Sequence, residues 1–253
     1  TRLYAELAGQ LAREGEQAAE GSEQGHQLST LFDAAPGRRP TPRLTELSIP
    51  VRAVVFPLDD PIASRRLHHA VRAALAHAGV DESAIWFQDS SVYHLSVFHA
   101  SHHQDPRAAE AGEVAGEVAA VAAVARATCP VRLALERVAV TPGGVVLALW
   151  GVAGGGEPTE LRRALRRALP RAPPKQLVAH PGILHTTLAR VVRRPPSPEP
   201  LLRAADHLSA ALCGLRATLR TIWFVQETHL LALALEGRFH TTPLPLTCPA
   251  HPD

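Results

Sequence analysis

Two short stretches, Tyr93-His94-Leu95-Ser96-Val97 and Leu184-His185-Thr186-Thr187-Leu188, carry the residue types and spacing that acid–base chemistry needs. In an extended strand, residues i and i+2 point to one face and their neighbours to the other. Each stretch therefore offers an imidazole and a hydroxyl on one face and apolar anchors on the other. Thr186 is the one polar residue at an anchor position. Context matters here, because the chain has 14 His and the tripeptide His-x-Ser/Thr occurs five times. The other three copies lack the flanks. His99-Ala100-Ser101 runs into His102, His207-Leu208-Ser209 sits in a helical pattern behind Asp206, and His240-Thr241-Thr242 meets Pro243.

Two imidazoles facing each other across a phosphodiester can serve as base and acid for in-line displacement. An unperturbed His titrates at about 6.5, so both protonation states are accessible. The hydroxyls of Ser96 and Thr187 would donate to the non-bridging oxygens, where charge builds up. Neither role needs a metal, so no cofactor is expected. One neutral and one protonated His would give a bell-shaped pH–rate profile whose apparent values belong to the pair. The pattern does not say which His is the base.

Elements of alternating type surround these stretches. Val51 to Phe56 is a β-branched run that reads as a buried strand. A helix from about Ile62 to Ala78 follows, with Leu67, Val71 and Leu75 four apart. Next come a strand at Val92–His99, an Ala/Val helix from about Pro106 to Ala127, and a hairpin of Val131–Val140 and Val145–Val152 around TPGG. The second half repeats the order: helix Pro158–Leu169, strand Ile183–Val192, helix Pro200–Cys213, then strands Leu219–Val225 and Leu230–Leu235. Both motifs fall on the strand after the first helix of a repeat. The duplication (about 51–152 and 153–247) predicts two α+β lobes, related by a pseudo-twofold axis, with a cleft between them. Residues 1–47 read as an N-terminal extension, with a short helix over 2–20 from Leu3, Leu7 and Leu11, ahead of a domain over 48–253.

The paired, apolar-flanked H-x-[ST] motifs, with histidines 91 positions apart, resemble the 2H phosphoesterase superfamily. YHLSVFHAS (93–101), ALERV (135–139) and the stretch from LPRAPPKQL to LHTTLAR (169–190) are similar to plant and algal RNA ligase/cyclic nucleotide phosphodiesterase-like proteins. The resemblance covers about residues 48–247. It implies a bilobal α+β fold and a metal-independent phosphodiesterase, with His94 and His185 catalytic and Ser96 and Thr187 on the phosphate. The implied substrate is a cyclic phosphate, an ADP-ribose cyclic phosphate or an RNA end. The alternatives are a nucleotide- or RNA-binding module without turnover, and a metal hydrolase using the surplus histidines.

Further candidates carry a bland reading beside the functional one. Phe98 continues the face of His94 and Ser96, where it would stack a base or sit in the core. Arg190 lies three residues beyond Thr187, on the opposite face, and reads as a phosphate contact or an exposed edge arginine. His99, His102 and His103 match no zinc signature and read as solvated loop residues. The run GVAGGGEPTE (151–160), ahead of a helix, reads as a flexible joint between the repeats in preference to a phosphate cradle, and the Arg-rich helix 162–171 as a solvated face.

At 46% apolar, 20% charged and a mean hydropathy near zero, the 253 residues can bury a core, which excludes global disorder. No stretch reaches the roughly 18 apolar residues of a membrane span, and a soluble, intracellular monomer is expected. The chain starts at Thr1 and has no Met, so a start and any targeting segment are expected to lie outside it. Residues 1–150 carry 13 basic and 17 acidic side chains (−4) and 151–253 carry 13 and 7 (+6), a mild lean of the second half toward anions. Three scattered cysteines, Cys129, Cys213 and Cys248, form no disulfide framework and read as buried free thiols ahead of the alternative, one bridge with one spare.

Overall fold

The computed structural model describes residues 22–24, 26–178, 182–193, 195 and 197–248. The helix expected over 2–20 lies outside them. Two small hairpins come first, β1 (Ser22–Glu23) with β2 (His26–Gln27) and, after a helical turn α1 (Leu28–Leu31), β3 (Phe32–Asp33) with β4 (Thr41–Pro42). The main body follows as β5 (Glu46–Pro57), α2 (Pro61–His77), β6 (Ile85–Phe87), β7 (His94–Ser101), α3 (Ala111–Arg126), β8 (Val131–Val140) and β9 (Val145–Gly155). It continues as α4 (Pro158–Ala168), β10 (Leu184–Val191), α5 (Glu199–Leu212), β11 (Arg216–Leu219), β12 (Thr221–His229), a helical turn α6 (Ala232–Leu235) and β13 (Phe239–Pro245).

Local chemistry sets most of these boundaries. Asp60 starts α2 by accepting the Ile62 and Ala63 N–H groups, and Pro61 supplies a helical φ without wasting a donor. Leu67, Val71 and Leu75 then bury one face, as their spacing predicts. The β8–β9 hairpin turns at Thr141–Gly144, where Gly144 takes a φ of 82° and its N–H donates to the Thr141 carbonyl. Gly151–Gly155 is no flexible joint; it is the end of β9. A side chain at Gly155 would meet the Pro130 carbonyl oxygen at 2.0 Å, so the glycines there permit close strand approach.

The strands form two antiparallel sheets, β11-β8-β9-β10-β6 and β13-β12-β5-β7. Each sheet takes a motif strand from one repeat and its hairpin from the other: β7 and β5 carry the β12–β13 hairpin, and β10 carries β8–β9. Neither sheet is drawn from one contiguous repeat, 51–152 or 153–247. α5 packs on β8, and α3 on β12 and β13. A buried ion pair, Arg52 Nε to Glu117 Oε2 at 2.7 Å, ties β5 to α3. One apolar core runs through both sheets, from Val54, Phe56 and Leu95 to Leu133, Leu135 and Leu188.

Three expectations about local structure are corrected. Leu230–Leu235 is not a strand; its four residues from Ala232 are a helical turn, bounded by left-handed Leu231 (φ 53°) and Glu236 (φ 57°). The partner of β12 is β13, which starts beyond that turn. Cys129 and Cys248 are bonded to each other, and only Cys213 is free. The Arg-rich helix α4 is only partly a solvated face. Arg162 donates to the Val97, Ser96 and Ile183 carbonyls, and Arg166 to those of Ala172 and Pro173. The described part of the N-terminal segment packs on the body, with Leu28, Leu31 and Phe32 against Leu230, Leu231 and Leu235.

Candidate active site

β7 and β10 lie in different sheets, yet His94 and Ser96 from one and His185 and Thr187 from the other line a single inner cavity of about 70 Å³. An outer cleft of about 440 Å³ opens over it, lined by Ser96, His185, Thr187 and the Thr141–Gly143 turn of the β8–β9 hairpin. The anchors behave as their pattern predicts: Tyr93, Leu95, Leu184 and Leu188 are buried. Thr186 is fully buried as well, and its hydroxyl accepts the Trp150 indole N–H at 3.1 Å, which explains a polar residue at a core position. His94 Nδ1 lies 2.9 Å from the Val92 carbonyl oxygen. A carbonyl only accepts, so Nδ1 is the ring nitrogen that carries the hydrogen in this contact.

Past the hydroxyl, both strands bulge. Ser96 pairs with Val55 and Phe98 with the adjacent Val54, which leaves Val97 as the extra residue. Thr187 pairs with Leu147 and Ala189 with Val146, which leaves Leu188. The extra residue inverts the alternation. Phe98 therefore turns into the core, with the Arg166 guanidinium 4.8 Å over its ring, and does not line the cavity. His99 and Arg190 turn into the cavity instead. Arg190 is fully buried rather than an exposed edge residue, and it donates to Gln88 Oε1 at 3.2 Å and the Ala234 carbonyl at 3.4 Å. The bulged carbonyls are themselves capped, Val97 by Arg162 Nε and Leu188 by the Gln88 N–H.

His99 is a further residue that local pattern misplaces. It is 6% exposed, its Nδ1 has no hydrogen-bond partner, and burial pushes its pKa down to about 3, helped by the positive forms of His102, His103 and His94. His102 is also buried and bonded to the Lys175 carbonyl, so neither is a solvated loop histidine. One signal is present in the sequence: His99 follows His94 by five residues, as Arg190 follows His185. Glu227, from β12, lines the same cavity and has no local signal. Its carboxyl accepts the Leu233 N–H at 2.7 Å, and burial pushes it up to about 7.

The back wall of the cavity is the α6 turn, which contributes Leu231, Leu233 and Ala234. Two cavity side chains hold that turn, Arg190 at the Ala234 carbonyl and Glu227 at the Leu233 N–H. Its left-handed ends are the kind of local strain that functional sites store.

No family model matches the sequence, and neither does any curated protein. Solved structures do. TT0787 of Thermus thermophilus aligns over 79% of this chain and all of its own, at 17% identity and a TM-score of 0.53. ATU0111 of Agrobacterium tumefaciens, described as a conserved protein of unknown function, aligns over 79% and 86% at 15% identity and a TM-score of 0.50. Escherichia coli LigT complexed with 3′-AMP aligns over 79% and 99% at 16% identity and a TM-score of 0.48. The chain shares the α+β fold of TT0787 and ATU0111.

Proposed function

We propose that this chain is a metal-independent phosphodiesterase of the 2H superfamily. It acts on a cyclic nucleotide phosphate or on an RNA or oligonucleotide end. The observation that carries this reading is the convergence of His94, Ser96, His185 and Thr187, from strands of two sheets, on one cavity. The bound phosphorus sits between the two imidazoles. One takes the proton of the attacking water, or of an adjacent 2′-hydroxyl, and the other protonates the leaving oxygen in line with it. Ser96 and Thr187 donate to the non-bridging oxygens as charge accumulates there. Buried Arg190 supplies the permanent cation of the cavity, held in place by Gln88 and the Ala234 carbonyl.

Turnover of 2′,3′-cyclic nucleotides, 2′,5′-linked oligoadenylate and short RNA in EDTA tests the reading, with His94→Ala and His185→Ala beside the wild type. Each variant is expected to lose at least about a hundredfold in kcat, the low end of general acid–base catalysis. Nucleotide binding without turnover of any member would instead indicate a recognition module. Activity that EDTA abolishes would indicate a metal hydrolase.

A further inference from the structure

Glu227 is the one acidic side chain lining the inner cavity among the described residues, and neither motif supplies it. It stands on β12 between Val51 of β5 and Phe239 of β13. One carboxyl oxygen takes the Leu233 N–H, and no cation pairs with the group among the described residues. The other titratable or charged groups of the cavity are His94 and His99 from β7, His185 and Arg190 from β10, and His103 from the loop that follows β7. β5 and α6 present only apolar side chains there. Holding the Leu233 N–H requires only an acceptor, which a neutral amide would provide without the desolvation cost of a half-buried acid that pairs with no cation among the described residues. The carboxyl must therefore be read together with the ligand of the cavity.

Resting on the phosphoesterase reading above, we propose that Glu227 is a charge-discriminating residue. It makes the cavity bind the monoanionic phosphate of a diester in preference to the dianionic phosphate of a monoester, and it couples dianion binding to proton uptake on its own carboxyl. A phosphodiester carries one negative charge at neutral pH, whereas a monoester carries between one and a half and about two. In a narrow cavity the second charge meets the half-buried Glu227 carboxylate with less solvent screening than in bulk water. The dianion is accommodated when that carboxylate takes a proton from solvent. Burial already pushes this carboxyl up to about 7, so the proton is accessible near neutral pH. Hydrolysis of a cyclic phosphate produces a monoester, so the same device separates product from substrate.

The test is calorimetric titration at pH 7.5, in two buffers of different ionisation enthalpy, of wild type and Glu227→Gln. The probes are 2′-deoxyadenosine 3′-monophosphate and its methyl ester, which differ by one charge and lack the 2′-hydroxyl needed for cyclisation. Wild type is expected to bind the ester at least tenfold more tightly than the monoester, and to take up protons on binding the monoester. Glu227→Gln keeps an acceptor for Leu233 and should bring the two affinities within about threefold and lower the proton uptake. His94 and His185 also exchange protons, so the difference between the two proteins isolates Glu227. An unchanged ratio and unchanged uptake in a variant that melts like wild type overturn the proposal. Should the variant not fold, equal or tighter monoester binding by wild type overturns it. Phosphodiester turnover alongside an unchanged ratio sinks only this inference, whereas failure of wild type to bind either probe or to turn over any diester sinks the phosphoesterase reading too.

Discussion

Two cavity side chains, His99 and Glu227, are pushed toward their neutral forms by the same desolvation, and they respond to pH in opposite directions. His99 titrates at about 3 in the folded chain, against about 6.5 when unfolded. The unfolded chain therefore binds the proton more readily. The stability tied to neutral His99 is complete above about pH 6.5 and is lost as pH falls toward 3. Thermal melts of His99→Phe should thus lose less Tm between pH 7 and 4 than wild type, and equal slopes would refute the assignment. Glu227 has a folded value of about 7, above the roughly 4.3 of a free Glu. Its contribution is present below the unfolded value and is lost as pH rises through the folded one. That loss falls between about pH 4.3 and 7, and Glu227→Gln should flatten it.

At the scale of elements, two bulges and one strained turn decide which side chains meet. Ideal pleating would put Phe98 beside Ser96 and Arg190 behind Thr187; the extra residues Val97 and Leu188 reverse both. The α6 turn, which completes the wall, is flanked by two non-glycine residues in left-handed conformation, Leu231 and Glu236. Leu231 is buried in the cavity wall, but Glu236 is exposed, so its backbone strain can be relieved without opening a hole. Glu236→Gly is expected to stabilise the chain by on the order of 0.5–1 kcal/mol, since glycine avoids the left-handed penalty but has more entropy to lose on folding. Denaturant unfolding reads this directly, and a destabilised variant would show that the turn is not strained there.

Over the whole molecule, hairpin exchange between the repeats makes each sheet depend on both halves of the chain, so neither motif strand has a complete sheet without the other half. The Cys129–Cys248 bridge adds a long-range constraint, joining positions 119 residues apart. A loop of that length is worth about 2–5 kcal/mol, chiefly through the unfolded state. Cys248→Ser is expected to lose an amount in that range by denaturant unfolding, and to keep kcat/KM while folded, because neither cysteine lines the cavity. No helix among the described residues is long and apolar enough to cross a membrane.

What could be read from the sequence was what local physics fixes. Strand alternation singled out His94, Ser96, His185 and Thr187 from five candidate tripeptides. Apolar spacing located the main helices, and Gly143-Gly144 located the hairpin turn. Alternation fails wherever one extra residue enters a strand, because each side chain beyond it changes face, and so strict alternation assigns Phe98 and Arg190 the wrong faces while His99 is buried rather than in a solvated loop. Pairing between distant strands leaves no local trace either. Which hairpin joins which motif strand, the Cys129–Cys248 bridge and the arrival of Glu227 at the cavity are all consequences of long-range packing. The candidate residues were legible in residue type and spacing; the charge balance of the cavity they line was decided by tertiary structure, because burial and neighbouring groups exist only once the chain has folded.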